Sequence, residues 1–194
     1  MIPLHLLVAP AAKAQTYDTS AATVTCDTFI GTVKIKPPLG AIPAATTLKV
    51  KGTLSGCFAS GATPASPSLS VLSGKVSGTL SNPSGSCLAL AGSNPFSGNL
   101  VVKWKVASGQ KLDASSTTLT PGTINGGVLV PGGAFGGAAY VQFAFGGTLQ
   151  SGSAFTGATP SGVFATAEDV GNLLGQCNGA GVKLIHIGIG TSTL

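Results

Sequence analysis

Short runs in which apolar and polar residues alternate recur along this chain, broken by Gly, Ser, Pro or Asn. Alternation sends successive side chains to opposite faces of a strand, so each run has one face to bury. Candidate strands are 28–36, 46–56, 68–80, 97–106, 115–120, 123–130, 138–149, 153–165 and 182–191. In Leu100–Val106 the even positions are apolar, and in Val141–Phe145 the odd ones are. Three runs share a Gly-Thr-Leu start, at Gly52, Gly78 and Gly147, without a fixed period. In each, Gly suits a close approach, Thr faces out and Leu faces in.

One helix interrupts this pattern. Thr166 is placed to cap a helix through Ala167–Gln176, with Glu168 and Asp169 in its first turn. Val170, Leu173 and Leu174 give it an apolar face that would deliver Cys177 to the sheet. A second short turn is read over residues 87–91. The expected architecture is a single all-β domain over residues 15–194. It is an immunoglobulin-like sandwich of roughly eight to ten antiparallel strands, with one short helix near its C-terminus. Cys87, Trp104 and Cys177 follow the immunoglobulin order, but no tyrosine lies two residues before Cys177.

Four cysteines, Cys26, Cys57, Cys87 and Cys177, imply two disulfides in an exported chain. Runs 33–36 and 48–51 read as two strands of one hairpin. If Ile35 faces Leu48, the same register carried outward sets Cys26 opposite Cys57. That leaves Cys87 for Cys177. No CxxC pair suggests a zinc site. Met1–Ala14 reads as a signal peptide: an apolar run, then the small-x-small triplet Ala12-Lys13-Ala14. The expected location is outside the cell or at its surface. No run reaches the roughly 18 apolar residues of a membrane helix.

Charged residues are only 8% of the chain against 43% hydrophobic, which excludes a disordered polyelectrolyte. All ten basic residues are lysine. Without arginine the bidentate phosphate and base contacts of a nucleic-acid binder are missing, so no nucleic-acid partner is expected. The lysines are patterned. Lys34 and Lys36, Lys49 and Lys51, and Lys103 and Lys105 each sit in an apolar-Lys-apolar-Lys run. These six would share an outer face and are the candidate ligand-binding residues for anionic cell-surface polymers. The plainer role of outward lysines is to protect strand edges. Trp104 reads as a core residue.

Chemistry is sparse. His186 is the only histidine after Ala14, and no nucleophile elbow accompanies it. The five acids are too scattered for a calcium site, and no phosphate loop is found. No catalytic residue, metal ligand or cofactor follows from the sequence. The order of features resembles a group of uncharacterised secreted proteins of actinobacteria and some other bacteria. It is carried by Gly31-Thr32-Val33, Gly52–Cys57, Ser84–Cys87, Val102–Lys105 and the closing helix, cysteine and strand. The resemblance spans most of the chain after Gln15 and implies export and an all-β fold, with no activity to carry over. The functional expectation is a non-catalytic structural or adhesive domain that partners itself. The alternatives are a binding module for anionic polymers or small apolar ligands, and an outer-membrane barrel.

Overall fold

The computed structural model describes residues 13–87, 90, 92–130 and 139–194. Most of the expected signal peptide, and part of the turn read at 87–91, lie outside these. The elements are β1 (Gln15–Tyr17), β2 (Thr23–Leu39), β3 (Ala44–Ser60), β4 (Val71–Gly85), β5 (Ser93–Pro95), β6 (Ser97–Val106), β7 (Gln110–Leu112), β8 (Ser116–Val130), β9 (Tyr140–Leu149), β10 (Ser161–Asp169), α1 (Val170–Cys177) and β11 (Val182–Thr193). The chain is all-β and antiparallel apart from the short β1–β7 pair, with one helix and the disulfides Cys26–Cys57 and Cys87–Cys177.

Facing walls pack over a common core, as sandwich layers do. The immunoglobulin arrangement of two separate sheets is not what forms. β2, β3, β4, β6, β8, β9, β10 and β11 each pair with the next, β11 returns to β2, and β8 pairs with β9. The sheet therefore closes as an eight-stranded up-and-down barrel. The β2–β11 pairing joins opposite ends of the chain, which local patterning cannot announce.

Interior packing explains several glycines. The Phe29 ring lies over Gly52, where an added Cβ would come within 2.4 Å of it. Phe145 covers Gly162, Phe164 covers Gly190 and Trp104 covers Gly74 in the same way. Large rings lie flat on the barrel wall only where the neighbouring strand offers no side chain. Phe145 and Phe164 stack at 5.1 Å, and Phe29 tilts against Phe164 at 4.9 Å. Leu54 and Leu80 point inward, as the Gly-Thr-Leu runs imply.

The β2–β3 register places Ile35 opposite Leu48 and Cys26 opposite Cys57. Between them the buried positions change phase. In β2 they are Phe29 and Ile35, then Cys26 and Val24; in β3, Leu54 gives way to half-buried Cys57 and Ala59. Gly56, at φ +61°, takes the conformation this step needs. Both strands step together, so the pairing survives and the apolar side stays inward.

Three sequence readings change. The runs at 115–120 and 123–130 are one strand, β8, which passes Pro121 with a register shift. The run at 153–165 becomes strand only from Ser161; residues before it fold into the barrel floor. The helix starts at Val170 with Asp169 as cap, whose carboxylate accepts from the Asn172 N–H at 2.9 Å. Thr166 instead stays in β10, its hydroxyl accepting from the Val141 N–H and donating to the Glu168 carbonyl. Leu173 is buried and Leu174 is exposed, so the helix's apolar face is narrower than expected.

Candidate functional site

The two barrel ends are built differently. At the end where β2 begins, the floor, Tyr17 and Phe155 are fully buried beside Leu69, Leu112 and Ala154. Trp104 is a core residue, as expected: its ring meets Phe155 edge-on at 5.2 Å. Its Nε1–H donates to the Thr117 hydroxyl at 2.8 Å, which donates to the Ala154 carbonyl at 2.6 Å. The Tyr17 hydroxyl donates to the Pro67 carbonyl, and the Thr19 hydroxyl to Asp113. These buried side chains have partners, as buried groups normally do. Beside this floor, the Ser20 N–H donates to the Asp18 carboxylate at 2.8 Å and holds its pKa below the ordinary value.

Above the floor the barrel holds an apolar cavity of about 160 Å³. Val50, Val76, Phe145, Phe164 and Ile187 line its waist, and Leu39, Thr46 and Leu90 line the end near α1. Among the described residues, the polar side chains on its wall are Thr46, Asn82, Ser86 and Ser192. Two of them stand out. The hydroxyls of Thr46 (3% exposed) and Ser192 (4% exposed) are buried and have no hydrogen-bond partner among the described residues. Leaving such a group unpaired costs about 1–3 kcal/mol. Thr46 also owes its place to Gly85, because a Cβ there would fall 2.3 Å from the Thr46 hydroxyl. Comparison with protein-family models, curated proteins and solved structures finds no match. What the site can do therefore rests on its own chemistry. A cavity of this size, walled by hydrocarbon, suits one small apolar molecule, since voids of ~150 Å³ of that kind stay dry and take up benzene. The two hydroxyls lie near opposite ends of the barrel, so either one, not both, could hydrogen-bond a polar group on such a molecule.

The sequence did not single out this cavity. Thr46 is an ordinary strand threonine near the start of β3, and only closure of the sheet turns it inward. The six candidate lysines do come together. Lys34, Lys36, Lys49, Lys51, Lys103 and Lys105 are all exposed on the outer wall of β2, β3 and β6. Lys34 stands directly opposite Lys49. Lys75 joins them from β4, opposite Lys103. It was missed because Ser73 and Ser77 flank it where the other runs have a second lysine.

His186 is exposed, opposite in face to buried Ile185 and Ile187. Its ring Nδ1 contacts the Glu168 carboxylate, which also accepts from the His186 backbone N–H at 3.0 Å. Glu168, expected in a helix turn, thus extends the β10–β11 contact one step past its last ladder pair, Thr166 with Ile187. Its role is to hold the strands together. Among the described residues no helix is long and apolar enough to cross a membrane.

Proposed function

We propose that this chain is an exported barrel that binds one small, apolar molecule bearing a hydrogen-bonding group. The observation that carries this is a hydrocarbon-walled cavity containing two buried hydroxyls without partners. Ligand sites are typically concave and apolar, with a few polar groups that fix orientation. Export is supported by the pairing of all four cysteines and by the signal-like Met1–Ala14. Kinship with the uncharacterised secreted actinobacterial proteins would fit the same picture.

Other readings have less support. Self-assembly through strand edges needs a long free edge, and the eight principal strands are each paired on both sides. An outer-membrane barrel needs an apolar outer band, whereas outward positions here include Thr32, Lys49, Ser77, Thr79 and Lys103.

The test is NMR titration of the oxidised protein with benzene and 1-octanol. Saturable shifts in the methyl signals of Val50, Val76 and Ile187 are expected. They should be lost in Val76→Phe, which fills the cavity. A wild-type protein that shows no shifts up to the aqueous solubility of both compounds would overturn the proposal.

A further inference from the structure

We propose that the outer wall of β2, β3, β4 and β6 is a binding track for a linear acidic glycan, independent of the interior cavity. The strand registers string seven lysines into one unbroken diagonal. Lys36 and Lys34 are two apart on β2, and Lys34 faces Lys49. Lys49 and Lys51 are two apart on β3. Lys51 faces Ser77, so Lys75 is its diagonal neighbour, and Lys75 faces Lys103. Lys103 and Lys105 are two apart on β6. Direct, two-residue and diagonal steps of about 5, 6.7 and 7.5 Å give a path of roughly 35–40 Å. No acid stands among the outward residues of these stretches, and none of the seven lysines has a salt bridge among the described residues.

Ordinary roles do not account for this arrangement. Edge protection needs an edge, and each of these four strands is paired on both sides. Solubility would be served by lysines anywhere, yet seven of the ten lie on this line and none lies on β8, β9 or β10. Directly opposed like charges are destabilising, and the line contains two such pairs.

The shape selects the partner. From β2 to β6 is three strand positions out of eight, about 135° around a closed barrel. A flat membrane cannot touch both ends of such an arc; a flexible chain can follow it. Single-stranded nucleic acid would want aromatic stacking platforms, and the outward residues between the lysines are mainly Thr32, Thr47, Thr53, Ser73, Ser77 and Thr79. Those hydroxyls suit sugar hydroxyls, and the lysines suit regularly spaced carboxylates.

The test uses the full oxidised chain and polygalacturonate, with oligodeoxythymidylate and phosphatidylglycerol vesicles as competitors. The triple variant Lys49→Gln, Lys75→Gln, Lys103→Gln should weaken polygalacturonate binding roughly ten-fold at low salt. The control Lys111→Glu, Lys183→Gln, which lowers the net charge by the same amount away from the track, should change it little. Thermal melting of both variants should match the wild type, and Lys→Arg at the three track positions should retain binding. Equal losses in the two variants, stronger binding to the oligonucleotide or the vesicles, or no binding of polygalacturonate by the wild type would each overturn the proposal.

Discussion

The barrel floor and the cavity above it bury similar chemistry with opposite outcomes. At the floor, the hydroxyls of Thr117, Thr19 and Tyr17 are inside, and each has a partner within 2.8 Å. In the cavity, the hydroxyls of Thr46 and Ser192 are equally inside and have none. The same chain therefore pairs its buried hydroxyls where side chains fill the space and leaves them open where space remains. A floor must be solid to close a barrel; a cavity wall with orphan hydroxyls is what the proposed ligand would complete.

The largest effect should come from the fastening that holds α1 to the rim. Removing Cys87–Cys177 with Cys87→Ser and Cys177→Ser opens a loop of about 90 residues, worth about 4–5 kcal/mol in denaturant unfolding. Phe155→Ala should follow at about 3–4 kcal/mol, because it empties the floor against Trp104. A much smaller loss would mean the floor is not the solid part. Gly56→Ala should cost about 1–2 kcal/mol by placing a Cβ at φ +61°.

The sharpest contrast comes from one substitution made in both regions. Thr117→Val should destabilise by about 1–3 kcal/mol, since the Trp104 indole loses its acceptor. Thr46→Val removes an unpaired hydroxyl, so the empty protein should gain about 1 kcal/mol while 1-octanol binds more weakly. Losses at both sites would erase the distinction between floor and cavity. The smallest effect belongs to exposed Asp18. Its carboxylate pKa is lowered in the fold, first by the Ser20 backbone N–H, so its contribution is full above the unfolded carboxylate range and fades as pH falls through the folded value. Asp18→Asn should remove that part of the acid limb of a stability–pH curve.

Local pairing was legible in the sequence because hairpins are local. The Ile35–Leu48 register led to the correct disulfides, and it survived the phase step at Gly56 only because β2 and β3 step together. Alternation alone gave no sign of that step. Pro121 and Gly122 looked like a turn, yet β8 absorbs them with a register shift. Phe155 looked like part of a strand, yet it sits at φ +57° with its ring in the floor. Closure depends on β2 meeting β11, a pairing no window of sequence contains. The cavity follows from closure, so Thr46 and Ser192 were invisible until the ring was complete. The six lysines were legible from period two, and their continuity through Lys75 was not.

The most direct test is a crystal structure of the oxidised protein under xenon pressure, because xenon enters apolar voids without needing a hydrogen bond. Xenon density inside the barrel among Val50, Val76 and Ile187 is the predicted result. An interior filled by side chains, with no xenon between β2, β4 and β11, would contradict the account.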